Sequence, residues 1–540
     1  MADHHVPARW SSLPRKGQLL VLCLIRITEP IVRFCVNSYI FYQLQSLDPS
    51  LPSDEVIKQA SYLRTAYMLA QCTSSVIWGR VADSPRGGRK IVMLVGLTCT
   101  FLSMLFLGFI SNFKQALLLH AIQGFSNSNI AIVRTMVSEV VPQKRFQARA
   151  FVLLPICTSI ATILGPLIAG LTVEVKPQSQ ADDNIGNGSL LLRYPYALPA
   201  LINAMVLLVS LLATFFFLEE TLEPLRRRYD PGIAISRKLA SLLCFSSRDQ
   251  TLHYEAISLE PDESKEMSSI HSTEEDDEAS PASSSNSVAD NDQTDEKPVS
   301  VLPTRRIFTK KMLLVLFATV LLDVQIAVTS DAMFNLFSFP VSSEEEERHR
   351  SLPFRFGGGA GFKPHSLAWT TSIFGLTGLP FQLWVYPQVT QRLGTLKTWR
   401  YFMFAFPLIW FLYPYIAVMP SSTPPPSEKT GFFVWAYVVC LACAAGLFVG
   451  CVAPCQLILT ALSSPHPSAL GRTQGITFFV STAVRASSSA LAGSLLAYGL
   501  NRNMAGLPFW FSGIVGVVAI ATSPFVKEGN GHEIQLPGDE

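Results

Sequence analysis

Three ionisable residues, Arg26, Glu29 and Arg33, stand in the otherwise apolar run 18–43. Spacings of three and four place them on one helical face, where Glu29 can pair with either base. A later apolar run carries Asp323 at a depth similar to Glu29, with Asp331 further along, and Arg485 stands near the middle of a third. A charge in hydrocarbon costs at least about 2.5–3.5 kcal/mol, so such groups pair or line a water-filled space. Burial and a neighbouring base pull a carboxyl's proton affinity in opposite directions. Such a carboxyl can exchange its proton as its access to water alternates. Glu29 and Asp323 are therefore candidates for protonation coupled to transport, with Arg26 and Arg485 tuning them or holding an anionic group. The plain alternative is structural ion pairs that fix helix packing. Asn37, Tyr39 and Tyr42 and the run Ser487-Ser488-Ser489 add polar groups to the same stretches.

A second cluster reads WGRVADSPRGGRK, from Trp78 to Lys90, between two apolar runs. Gly79 near a helix end admits a close neighbour. Asp83 can pair with nearby bases or face the positive N-terminus of another helix. Gly87 and Gly88 permit a sharp reversal, and Arg89 and Lys90 open the next helix. Such contacts at a helix end can hold one conformation and break in another. They can also serve as a plain positively charged anchor.

The elements that position these residues are long apolar runs. The chain has 540 residues, 49% hydrophobic and 15% charged, with a formal net charge of +2. A soluble chain carries roughly 25% charge, and so small a net charge gives no argument for nucleic-acid binding. Runs of this length read as membrane helices, because only helices or closed barrels satisfy the backbone in lipid. About twelve spans are expected, at 18–43, 62–82, 91–112, 115–139, 150–174, 194–218, 312–338, 367–387, 400–419, 431–462, 473–498 and 507–526. The second is rich in polar residues and the tenth is long. The first is too long for a signal-peptide core and no small-residue cleavage site follows it.

Lys and Arg cluster in the loops before span 1 and between spans 2–3, 4–5 and 8–9, which places those loops and both termini in the cytosol. The 7–8 loop is an exception, with Arg348, Arg350, Arg355 and Lys363. Asn187-Gly188-Ser189, the chain's single N-glycosylation triplet, falls on the external side. The expected organisation is a cytosolic N-terminus over 1–17, a six-helix bundle over 18–218, a linker over 219–309, a second bundle over 310–526 and a cytosolic tail over 527–540. The linker is acidic and Ser-rich, too poor in apolar residues to offset its ordering entropy, so disorder is expected. Ser272 and Thr273 before EEDDE suit an acid-directed kinase, and an unmodified solvated linker is the equal alternative. Nine of the ten cysteines fall in apolar runs and Cys244 in the linker; none reads as part of a disulfide framework. Cys440 and Cys443 form a CxxC with no second pair at metal-ligand spacing, so no metal is expected.

The stretch between spans 2 and 3 resembles the cytosolic G-x-x-x-D-x-x-G-R-[KR] signature of the major facilitator superfamily. Gly79, Asp83, Gly88, Arg89 and Lys90 match in order, with two extra residues between Asp83 and Gly88. GPLIAG in span 5 is similar to the antiporter branch's G-P-x-x-x-G, through Gly165, Pro166 and Gly170. IRITEP, QGFSNSNIAIVRTMVSE, LRYPYALPALINA and SSPHPSALGRTQGITFFVSTAVRA resemble the fungal drug:proton antiporters related to zinc-induced-facilitator-like and tetracycline-efflux proteins. The family commonly has an Arg near the start of span 4, where this chain has His120. Arg134 and Glu139, toward the cytosolic end of span 4, are expected to join the network around Asp83.

The resemblance implies an all-α membrane protein with twelve transmembrane helices in two six-helix bundles around a central cavity. It implies proton-coupled antiport of a small organic compound by a monomeric transport unit, out of the cytosol across the plasma membrane or into a vacuole. A nutrient symporter or a non-transporting sensor on the same fold are the rivals. No GxSxG, HExxH or P-loop lysine motif occurs, so neither an enzyme nor an ATP-driven pump is expected, and no cofactor.

Overall fold

The computed structural model describes residues 14–127, 129–141, 144–173, 194–226, 228–242, 303–343, 350–466, 469–529 and 533–534. Regular structure in these residues is helical, with two isolated bridges, Ser351 to Arg355 and Phe356 to Met504. The helices fall into twelve successive segments among the described residues. Spans 1–3 are Lys16–Leu47, Ser53–Ala82 and Arg89–Leu107. Span 4 is Phe113–Ser126 followed by Asn129–Val140, and spans 5 and 6 are Lys144–Thr172 and Ala197–Phe217. Span 7 is Lys310–Ser338. Span 8 runs from Pro364 through a π-helical turn at Phe381–Val385 to Leu393. Span 9 covers Thr395–Val418 in short pieces, and spans 10–12 are Phe432–Leu462, Leu470–Leu500 and Leu507–Phe525.

Eight of these segments are long and apolar enough to cross a membrane by length and composition. The other four are spans 1, 2, 8 and 11, and they carry polar or charged groups that face helical neighbours. Spans 2 and 11 pack against each other, as do spans 5 and 8, and these two pairings join the chain's halves. Elsewhere span 1 packs on spans 5 and 6, and span 7 on spans 11 and 12. Lipid supplies no hydrophobic drive between helices, so close packing falls to small residues. A Cβ at Gly165 would lie 2.6 Å from the Ile31 carbonyl oxygen on span 1. One at Gly170 would lie 2.5 Å from Ala368 Cβ on span 8. Those two positions of the GPLIAG hexapeptide thus bring span 5 against both a neighbour in its own half and one in the other half.

Span 2 begins at Ser53, earlier than hydropathy suggests, because Asp54 and Glu55 suit the positive end of a helix. Span 4 breaks at Asn127. A larger departure lies in the stretch expected to be an unstructured linker. Pro231–Leu242 is a helix. Asp230 caps it, its Oδ1 accepting from the amides of Gly232 (2.9 Å) and Ile233 (3.3 Å), and proline at the first helical position is pre-set for the role. The helix also docks on span 6. Ser272 and Thr273 lie outside the described residues, as do Cys244 and Asn187. Near the C-terminus, Glu533 and Ile534 donate backbone hydrogen bonds to Pro465, and Glu533 pairs with Lys311 at 2.7 Å.

Candidate functional site

Each acid singled out within the membrane has a base beside it. Glu29 lies 3.9 Å from Arg26, one helical turn away, and accepts a hydrogen bond from Tyr67 of span 2 at 3.1 Å. Tyr67 in turn accepts from Asn127, at the break in span 4, at 2.6 Å. Arg26 also donates to Thr158 of span 5 at 3.0 Å. Arg33 does not take Glu29; its guanidinium lies over the Phe34 ring. In the other half, Arg485 of span 11 donates from Nε and Nη2 to one oxygen of Asp323, at 2.9 and 2.6 Å. Asp323 is 7% exposed, whereas Arg485 stays 50% exposed although it lies mid-span.

Arg134 departs from expectation. It makes no hydrogen bond or ion pair among the described residues and does not enter the network around Asp83. Five residues separate it from Glu139, which turns the two side chains about 140° apart on a helix.

A buried ion pair that local spacing does not reveal also links the halves. Arg64 of span 2 and Asp331 of span 7 are 3.8 Å apart, with side chains 8% and 9% exposed. Arg64 also donates to Asn37 and to Asn335, each at 3.2 Å, and Asn335 reaches Ser61 at 3.4 Å. Beside them Tyr42 donates to the Phe362 carbonyl, Asn501 donates to Asp54 at 3.1 Å and Ser489 to the Ser61 carbonyl at 3.5 Å. All these groups sit toward the end of the molecule remote from the 2–3 turn. Nearer mid-depth, the halves touch through Ser372 with Ile163, Ser159 with Gln382 and Cys72 with Phe479. At the end that carries the turn, no hydrogen bond or ion pair joins the halves among the described residues. There Gly79, Gly394, Gly471 and Gly475 have nothing within 4 Å of a built Cβ, so the close neighbour expected at Gly79 is absent.

The turn itself is organised within its own half. Gly88 has φ +91°, and a Cβ there would lie 2.6 Å from Glu220 Oε2, so glycine serves both conformation and approach. Arg89 lies 3.7 Å from Asp83 and forms an ion pair with Glu139 of span 4. Lys90 is buried, with its ammonium on Asp230 at 2.5 Å and on the Phe215 carbonyl at 3.0 Å, and its amide on Glu220 at 2.9 Å. Asp83 is 73% exposed and makes no hydrogen bond or ion pair with the other half among the described residues. His120 is buried, its Nδ1 2.9 Å from the carbonyl oxygen of Ala116 one turn back. Nine described cysteines are free thiols, and no group of His, Cys, Asp and Glu with metal-binding geometry occurs among the described residues.

Helical halves whose hydrogen bonds and ion pairs, among the described residues, join them at mid-depth and at one end define a multi-pass membrane protein of transporter architecture. The chain belongs to the Major Facilitator Superfamily, which it matches over residues 23–345. It is similar to the major facilitator superfamily multidrug transporter mfsB of Aspergillus fumigatus, 26% identical over 529 residues that span 96% of this chain and 84% of that one. Over 178 residues, 33% of this chain and 36% of the other, it is 28% identical to the protein ZINC INDUCED FACILITATOR 1 of Arabidopsis thaliana. Among solved structures, that of a D-xylose-proton symporter superposes with a TM-score of 0.62 at 11% identity, covering 96% of this chain and 99% of that one. Likeness at that identity is one of fold.

Proposed function

We propose that the chain is a proton-coupled antiporter that moves a small organic compound out of the cytosol by alternating access. The observation that carries this reading is the one-sided joining of the halves. Every hydrogen bond or ion pair between them among the described residues lies at mid-depth or toward the end remote from the 2–3 turn. With basic loops in the cytosol, this is the state open to the cytosol and closed outside. Asp83 is then free of the other half, and becomes a latch when the halves close over the turn. Two six-helix bundles, 18–218 and 310–526, rock about the central pairs.

Glu29 and Asp323 exchange protons, and Arg26 and Arg485 set how readily they do so. Similarity to a multidrug transporter and the antiporter-like hexapeptide at Gly165, Pro166 and Gly170 support export over uptake. The unit of transport is the monomer, with both termini in the cytosol, in the plasma or vacuolar membrane. Glycosylation at Asn187 is compatible with that topology.

The test is simultaneous proton and substrate flux in proteoliposomes containing wild type or Glu29→Gln. Proton movement opposite to the compound, lost in the variant, is expected. Compound flux without proton movement in wild type refutes coupling and leaves Glu29 a packing residue.

A further inference from the structure

Glu29, Tyr67 and Asn127 form a chain of hydrogen bonds that crosses from span 1 through span 2 to the break in span 4. The Tyr67 hydroxyl donates its one proton to Glu29 at 3.1 Å and accepts from Asn127 Nδ2 at 2.6 Å. Tyr67 and Asn127 are both buried. Asn127 closes the first piece of span 4, its amide donating to the Gly124 carbonyl at 3.1 Å. Its own carbonyl accepts from Gln71 of span 2 at 2.9 Å. A Cβ at Gly124 would collide with the Tyr67 carbonyl, so spans 2 and 4 touch at this level. One atom of the chain is unused. Asn127 Oδ1 is buried and accepts no hydrogen bond among the described residues. A buried acceptor left unpaired is costly and calls for a reason.

Resting on the proton exchange at Glu29 described above, we propose that Tyr67 and Asn127 are positioning residues that report the charge of Glu29 to the break in span 4, with Asn127 Oδ1 the acceptor used when Glu29 is protonated. As a carboxylate Glu29 only accepts, which fixes the direction of both bonds. Once protonated it donates its O–H to the Tyr67 oxygen. The Tyr67 hydroxyl then turns its own proton toward Asn127, and the amide turns over to present Oδ1. No proton leaves Tyr67 or Asn127; only the direction of the bonds reverses. The Asn127 NH2 loses its acceptor in the exchange, and the break moves to give it another. Beyond the break, Asn129–Val140 packs on spans 1, 3 and 5 and carries Glu139, the partner of Arg89 in the 2–3 turn. A proton taken up at Glu29 is thereby felt at the turn. The other partner of Glu29 is Arg26, which leads through Thr158 to span 5 instead. Arg33 lies over Phe34. The elements packed on span 1 also carry Arg64, Arg134, Cys157, Asp323 and Asp331. Of these, Arg64 is paired with Asp331 and Asp323 with Arg485. Among the described residues Tyr67 is therefore the hydrogen-bonded route from Glu29 to span 4.

The experiment uses the full-length protein in lipid nanodiscs across a pH series, with two readings. Infrared difference spectra follow the carboxyl C=O band of Glu29, assigned by its loss in Glu29→Gln. Pulsed electron resonance follows the distance between spin labels at Arg86 and Lys397, both exposed and on opposite halves at the turn end. In wild type the band and the distance should change with one midpoint, and Glu29→Gln should remove both changes. In Tyr67→Phe the band should still titrate, while the coupling of the distance to it falls about tenfold, the worth of one hydrogen bond to a charged group. Asn127→Leu should behave in the same way, and it decides the matter if Tyr67→Phe does not fold. Residues that only pack would lower the melting temperature and leave band and distance moving together. A distance that follows the band as in wild type, in either folded variant, overturns the proposal while leaving Glu29 a proton carrier. A wild-type distance that ignores the band overturns it too. A wild-type band that does not titrate removes the proton-exchange reading and this proposal with it.

Discussion

Replacing Asp331 with Asn is expected to loosen the closed end of the molecule and shift its resting conformation. Removing one partner of a buried ion pair costs roughly 3–5 kcal/mol when the remaining charge is stranded. Here the separation is 3.8 Å, and Arg64 keeps Asn37 and Asn335 at 3.2 Å each. The loss therefore falls below that range, at about 2 kcal/mol. All of it acts on the state in which spans 2 and 7 touch, because the pair spans the two halves and must part when that end opens. A change of about 2 kcal/mol multiplies the open population roughly thirtyfold. Spin labels at Ser50 and Arg502, both exposed and on opposite halves at that end, report the distance between them by pulsed electron resonance. The variant should gain a longer distance that wild type lacks. Exchanging the charges, Arg64→Asp with Asp331→Arg, should restore the short distance. An unchanged distribution in a well-folded Asp331→Asn protein refutes the claim that this pair holds the halves together.

Gly88→Ala should lower the melting temperature and yield, because a φ of +91° is strained for alanine by about 1–2 kcal/mol and its Cβ would press on Glu220; intact stability would disprove the tight turn. Lys90→Gln removes the ammonium bound to Asp230 and the Phe215 carbonyl, so amide exchange should quicken across Pro231–Leu242, and unchanged protection there would contradict the tether. Gly170→Val puts bulk where a Cβ would already lie 2.5 Å from Ala368, so it should part spans 5 and 8 and slow flux through failed closure. Wild-type flux in that variant would show that the helices need not approach.

The long helices are legible because lipid demands internal hydrogen bonding from every crossing segment, and most described ends fall close to the hydropathy limits, with the starts of spans 2 and 5 and the end of span 8 the exceptions. Arg26 and Glu29 were legible as a pair because helical spacing is a local rule. Pairs made through space were not. Arg64 sits in a span rich in polar residues, where one more base is not distinctive, and its partner lies far along the chain. An Arg inside span 2 is the signal available, and Asp331, in the same helix as Asp323, is its counterpart. Proximity to Glu139 in sequence suggests that Arg134 shares its network, but the helical angle between them turns it away. Asp230-Pro231 carried a helix-start signature inside a stretch whose overall composition reads as disordered.

Beyond the eight segments long and apolar enough to cross a bilayer by length and composition are the first, second, eighth and eleventh, and the charges in the first two bear on how the chain is made. Span 1 carries Arg26, Glu29 and Arg33 at depth, each penalised by about 2.5–3.5 kcal/mol at a helix centre. Alone in lipid it lacks Tyr67, and Thr158 arrives only with span 5. Its residence in the membrane is therefore provisional until later segments emerge from the ribosome and supply those partners. Span 2 waits longer still, since Asp331 and Asn335 are synthesised in the second half. The charged centre thus makes the chain's own insertion cooperative. Truncating the chain before span 7 should leave Arg64 without its buried acid and span 2 exposed to quality control.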